Sequence, residues 1–321
     1  MDEIDHHLTG FKRQMSQQEG LSGVTAASYC AKVKDFFKWL EATNSLFPAG
    51  SFVHVTRRDV EAYLEHCFNI GNRNQTRLTK LTAIHKFYKY LIYEDIVTED
   101  ITARIPRPKT RKGLVQKFTQ AEILKLFAVM DINTEKGVRD AVIFILGAFC
   151  GLRISEIINL NMSDIVDDEG AIDINIVKTK HESSRTVYLW KSPSLYVNQW
   201  MAIRISQGAG KDSSLLVSYK RGDNASTLRP TSPGIDRILK RYATIAGIRK
   251  PVVTMHMLRA THASDLRYIK GYDVFAISQR LGHEDISTTQ RYVPARGRIN
   301  REYPSLAVYW KEFNHLWREK D

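Results

Sequence analysis

Residues 171–189 read AIDINIVKTKHESSRTVYL. Two strand-like runs, Ala171–Val177 and Arg185–Leu189, flank Lys-Thr-Lys-His-Glu-Ser-Ser, the pattern of a β-hairpin with a polar, basic turn. Nearly everything around it reads as helix. Upstream, Thr119 with Glu122 forms a capping box that opens a helix at Ala121–Met130. An apolar helix follows from about Val138 to Cys150, then a shorter one through Ile154–Leu160. Downstream, helical patterns cover 193–205, 233–246, 256–269, 273–281 and a last stretch from Ser305. The expected second half is therefore a mixed α/β domain with a small antiparallel sheet.

The first part of the chain predicts helices alone. Thr25 can cap a helix whose apolar face runs Tyr29, Val33, Phe36, Phe37 and Leu40. Thr56 with Asp59 opens a second, with Val60, Tyr63, Leu64 and Cys67 turned inward, and a third carries Leu81, Ile84, Phe87, Tyr88 and Leu91. Between the halves lie Arg104, Arg107, Lys109, Arg111, Lys112 and Lys117 with no acid among them, interrupted by Pro106, Pro108 and Gly113. Prolines remove amide donors and bias their neighbours toward extended structure, so 104–117 reads as an extended basic linker. The expected layout is a helical domain at 1–103, the linker at 104–117, and the second domain at 118–321. The fold class is mainly α.

A length of 321 residues suits two domains, each with its own core. With 47 Lys and Arg against 35 Asp and Glu, the chain carries a formal charge of +12. The surplus is shared, with 18 basic against 13 acidic residues up to Lys117 and 29 against 22 after it. Such a balance favours a polyanionic partner. Arg73, Arg77 and Lys80 recur at i, i+4 and i+7, a stripe that can follow a phosphate backbone. Three cysteines (Cys30, Cys67, Cys150) show neither pairing nor metal-ligand spacing, which fits a reducing compartment. The acidic Met1–Asp5 start has no signal-peptide pattern, and the apolar run Ala141–Leu152 is too short to span a bilayer. These features predict a protein of the cytoplasm with no membrane partner.

Four segments of the second half concentrate groups suited to phosphate chemistry. They are Gly151-Leu152-Arg153-Ile154-Ser155-Glu156, the hairpin turn with Lys178 and Lys180, His256-Met257-Leu258-Arg259, and Leu281-Gly282-His283 followed by Tyr292. Singly each is ordinary: Arg153 can pair with Glu156 at i+3, and turn lysines are commonly solvated. Together, and in this order, they resemble the tyrosine recombinases, the group of the phage integrases and Xer-type recombinases. The resemblance runs from about Gly23 to Tyr292.

That resemblance implies an N-terminal core-binding domain of SAM-like type and a C-terminal catalytic domain, closing on duplex DNA as a clamp. It implies Tyr292 as nucleophile, Arg153 and Arg259 as the arginines that grip the scissile phosphate, and His256 and His283 beside them. Lys180 matches the hairpin lysine, with Lys178 as the alternative register, and Glu156 matches the acid that supports the first arginine. Ala260 departs from the histidine or bulky residue that many members carry after the second arginine. DNA contacts are expected from Arg73, Arg77, Lys80, Arg107, Lys109, Arg111 and Lys112. No metal or other cofactor is expected, because two guanidinium forks can stabilise the charge of a pentacoordinate phosphorus. Leu306, Tyr309, Trp310, Phe313, Leu316 and Trp317 recur at helical spacing and predict an amphipathic tail helix. In the family such a helix docks on a neighbouring protomer in a ring of four; packing on its own domain is the alternative. The expected function is site-specific recombination, for integration and excision of a mobile element or for resolving replicon dimers. The alternatives are a type IB-like topoisomerase and a DNA-binding relative without catalysis.

Overall fold

The computed structural model describes residues 2–43, 52–110, 115–177, 184–219, 228–268, 271–282 and 289. The chain divides into two compact units, Met1–Lys112 and Gly113–Asp321.

The first unit is built from α1 (Asp2–Gln17), α2 (Gly23–Thr43), α3 (Arg57–Asn69) and α4 (Asn74–Tyr93). The sequence reading did not anticipate α1. It buries Ile4, Leu8, Phe11 and Met15, a stripe at helical spacing, against the same core as the other three helices. The start of α2 also differs from expectation. Ser22 Oγ accepts the Thr25 amide at 3.2 Å, so Ser22 caps the helix and Thr25 lies in its first turn. The Thr56–Asp59 capping box forms as read, with the Thr56 amide donating to Asp59 Oδ2 at 2.8 Å. Aromatic rings fill the centre: Phe11 meets Phe87 edge-on at 5.3 Å, and Phe37 meets Phe52 at 5.5 Å. Ile105 belongs to this core, so the basic segment is anchored to the first unit at its start.

The second unit comprises α5 (Gln120–Ala128), α6 (Glu135–Ala148), α7 (Ile154–Asn159), β1 (Ile165–Asp168), β2 (Ala171–Ile176), β3 (Arg185–Leu189), α8 (Lys191–Ser206), α9 (Ser232–Ile245), α10 (Met255–Tyr268) and α11 (Val274–Leu281). Every residue of α6 from Gly137 to Ala148 is buried, because helices cover it on all sides, α8 and α10 among them. Its buried carboxylate, Asp140, is fully enclosed and neutralised by Arg139, with Arg241 and the Tyr242 hydroxyl each donating at 3.1 Å. The sheet is antiparallel in the order β1-β2-β3, with Ile172 opposite Leu189 and Ile176 opposite Arg185. The hairpin is as expected, but β1 was not. It is an exposed edge strand ending in Asp167-Asp168, and it carries no apolar alternation that would announce it. Residues 115–118 pack on α10, where the Phe118 amide donates to Thr261 Oγ1 at 3.0 Å and Lys117 donates to Ser264 Oγ. Among the described residues, no helix is long and apolar enough to cross a membrane.

Candidate active site

Chain direction brings the GLRISE segment, the start of β3, the middle of α10 and the end of α11 to one place. After α6 the chain reverses at Gly151, whose φ is +66°. A side chain there is also barred by contact, since a Cβ would lie 2.5 Å from the His262 ring and 2.8 Å from Leu281. The turn delivers Arg153 to the start of α7 and Glu156 to its first turn. The α11 helix ends on Gly282 in the left-handed conformation, again a position for glycine.

Three guanidinium groups meet at the C-terminal end of α11. Arg185 Nε donates to Arg280 O at 3.1 Å, Arg259 Nη2 to Leu281 O at 2.7 Å, and Arg153 Nη2 to Gly282 O at 2.7 Å. A helix leaves its last carbonyls unpaired and carries partial negative charge there, so this terminus is a natural seat for cations. Arg259 also donates to Gly151 O at 2.5 Å. Among the described residues, the carboxylate that joins them is Glu156. Its Oε1 accepts Arg153 Nη1 at 2.9 Å and Arg185 Nη1 at 3.0 Å; its Oε2 accepts the Arg153 amide at 2.8 Å and Arg185 Nη2 at 2.9 Å. Arg259 Nη1 lies 3.8 Å from the same oxygen. Three cations sharing one anion leave a positive surplus. Arg259 is 1% and Arg185 11% exposed, whereas Arg153 is 35% exposed and opens the cluster to solvent. Such a site suits an oxyanion that guanidinium planes can bind through paired donors.

Burial pushes the Glu156 carboxyl upward, but the Arg185 hydrogen bonds, the Arg153 amide and the charges of both arginines outweigh it, so its pKa lies below the ordinary 4.5. A depressed folded-state pKa contributes stability that is fully present above the unfolded value and lost as pH falls through the folded one. The stability difference between wild type and Glu156→Gln should therefore be largest above pH 4.5 and shrink on acidification below it. Parallel denaturant titrations at pH 7, 4.5 and 3.5 measure this; a difference independent of pH would contradict the ion-pair account.

The structure thus brings Arg153, Glu156 and Arg259 together. His256 lies in the first turn of α10, exposed, one turn before Arg259. Lys178, Lys180, His283 and Tyr292 lie outside the described residues, as do Arg111, Lys112 and the expected tail helix from Ser305. The sequence reading missed Arg185 and the α11 carbonyls. A signal for Arg185 existed: it shares a strand face with Val187 and Leu189, both buried, and an arginine in an inward register position calls for a partner.

In the first unit, the expected basic stripe is narrower than its spacing suggests. Lys80 turns inward, with Nζ 2.6 Å from Asp35 Oδ2 and 2.8 Å from the Tyr63 hydroxyl, and its side chain is 13% exposed. Arg77 Nε donates to Leu64 O at 3.1 Å and its guanidinium lies 5.2 Å from the centre of the Phe68 ring. These two side chains are held by α2 and α3 because their partners approach from other helices. Arg73, Arg107 and Lys109 are exposed.

Residues 116–297 match the phage integrase family, and residues 8–95 match its N-terminal SAM-like domain. Tyrosine recombinase XerD of Proteus mirabilis is 28% identical over 276 residues, 86% of this chain and 84% of that protein. Tyrosine recombinase XerC of Bacillus subtilis (strain 168) is 24% identical over 300 residues, 91% of this chain and 92% of that protein. Two solved structures share the fold. One is XerH recombinase bound to palindromic difH substrate, with a TM-score of 0.64 and 20% identity over 84% of this chain and 75% of that one. The other is a lambda integrase tetramer bound to a Holliday junction, with a TM-score of 0.67 and 17% identity over 94% and 80%. With the family matched across more than half its length, the chain belongs to the phage integrase family of tyrosine recombinases.

Proposed function

We propose that this protein is a site-specific DNA recombinase that cuts and rejoins duplex DNA through a 3′-phosphotyrosine. The observation that carries the reading is the paired placement of Arg153 and Arg259 on one carboxylate and one helix terminus, a preformed receptor for the charge that builds on a phosphodiester under attack. In this reading Tyr292 attacks the scissile phosphorus, its proton passing to His256, and Lys180 protonates the departing 5′-oxygen. Lys178 takes that part if the turn register shifts. His283 donates a hydrogen bond to a non-bridging oxygen. The phosphotyrosine conserves the bond energy, so a different 5′-hydroxyl can displace the tyrosine without ATP.

Arg73, Arg77, Lys80, Arg107, Lys109, Arg111 and Lys112 supply the proposed DNA contacts, with Arg77 and Lys80 secondary because the protein already engages them. If six or more phosphates are contacted, affinity should fall by about 10³-fold or more between 50 and 200 mM salt. We read the working assembly as a homotetramer on DNA, in line with the lambda integrase likeness, and its role as mobile-element integration and excision or replicon dimer resolution.

A pool of random-sequence duplexes, each nicked so that the short fragment bearing the new 5′-hydroxyl diffuses away after cutting, tests the reading. Wild type should enrich a defined sequence as a phenol-partitioning covalent adduct. Relaxation of plasmids without such a sequence would favour a type IB-like topoisomerase, and failure to trap any adduct would favour a relative without catalysis. On the enriched duplex, Lys180→Ala should cleave slowly and recover on a 5′-phosphorothiolate, whose leaving group needs no acid. Recovery by Lys178→Ala instead would reassign the role.

A further inference from the structure

Arg185 opens β3, and each of its three side-chain nitrogens donates into the protein. Nη1 and Nη2 hold the two oxygens of Glu156, and Nε holds Arg280 O. A carboxylate offers about four lone-pair sites, and here Arg153 and Arg185 fill two each. The Gly282 backbone rests against the same guanidinium, close enough that a Cβ would lie 2.7 Å from Nη1. One side chain thus fixes the rotation of the carboxylate that aligns Arg153, the end of the helix that seats Arg153 and Arg259, and the turn that leads into His283. It also begins the strand that follows Lys178 and Lys180 in the chain.

We infer that Arg185 is a positioning residue for strand cleavage, holding Glu156 and the α11 terminus so that Arg153 and Arg259 present their planes to the scissile phosphate. The inference rests on the recombinase reading above. Arg185 itself does not bind the phosphate: its fork is closed on both oxygens of Glu156 and its Nε on Arg280 O, so the paired donors that a phosphate would need are already taken by a carboxylate. Without it, Glu156 keeps Arg153 as its hydrogen-bonded guanidinium, with Arg259 at 3.8 Å, draws both toward itself and competes with the DNA. Lysine is no substitute, because one ammonium cannot bridge both carboxylate oxygens and a carbonyl in a fixed plane.

The test uses the full-length protein on the enriched nicked duplex, made with a normal phosphodiester or with a methylphosphonate at the scissile position. The methylphosphonate carries no charge and so depends less on aligned arginines. Arg185→Met and Arg185→Lys should bind the duplex within about threefold of wild type, since Arg185 makes no DNA contact, while cleaving the phosphodiester at least about 100-fold more slowly, the loss typical of one misplaced electrostatic donor. On the methylphosphonate that deficit should narrow to about tenfold or less. Cleavage near the wild-type rate, or an equal deficit on both duplexes, would overturn the inference and leave Arg185 as a fold residue. Arg185→Gln is the second variant, and if thermal unfolding shows that none of the three folds, the same conclusion holds. Wild type is the control: without a wild-type adduct the recombinase reading itself fails, independently of Arg185.

Discussion

Tyr292→Phe should bind the enriched duplex within about fivefold of wild type, since one neutral hydroxyl contributes about 1 kcal/mol, and should form no covalent adduct. Phenylalanine keeps the ring and removes only the nucleophilic oxygen, so folding and DNA contacts are little disturbed. Cleavage should fall by on the order of 10⁴-fold or more, as for loss of the nucleophile in other covalent enzymes. Gel mobility shift and denaturing gels on the same samples separate the two effects. An adduct that persists in Tyr292→Phe would assign the nucleophile elsewhere, and loss of binding would make the ring a DNA or fold contact.

Arg259→Ala is the second large effect, and it has two parts. Arg259 is 1% exposed, and it satisfies the carbonyls of Gly151 and Leu281. Truncation leaves two buried acceptors unpaired beside a cavity, a stability loss of about 2–5 kcal/mol. The chemical part is separate: removing a preorganised donor from the developing oxyanion should slow cleavage by about 10²–10³-fold. Denaturant unfolding reads the first, and single-turnover cleavage under saturating protein, at a temperature where the variant is folded, reads the second. Arg259→Lys should regain part of the stability but little of the rate, because an ammonium cannot reach both carbonyls and a phosphate oxygen. Wild-type cleavage by a folded Arg259→Ala would remove Arg259 from the reaction.

What sequence revealed and what it hid follow from the range of the interactions. Helices of both units were legible because their apolar residues recur within a few positions, as in Leu81, Ile84, Phe87 and Leu91. The hairpin was legible from two strand-like runs about a polar turn. α1 went unread even though Ile4, Leu8, Phe11 and Met15 have helical spacing, and β1 gave no signal because its exposed edge needs no alternation. At the site, the motif residues Arg153, Glu156 and Arg259 stood out, but the reason they meet did not. It lies in three backbone carbonyls at the end of α11, those of Arg280, Leu281 and the capping Gly282, and in Arg185, all far along the chain from the GLRISE turn. Likewise the spacing of Arg77 and Lys80 suggested a free stripe, whereas Asp35, Tyr63 and Leu64 reach them from other helices. Local periodicity survives in sequence; partners brought in by tertiary packing do not.

The central claim is that this chain joins itself to DNA through Tyr292. The direct measurement is mass spectrometry of the trapped adduct after nuclease and trypsin digestion. The account predicts a nucleotide linked through its 3′-phosphate to the peptide Tyr292–Arg296, with a free 5′-hydroxyl on the released strand. A nucleotide on any other residue, a 5′-phosphate linkage, or cleavage with no linked peptide would contradict it.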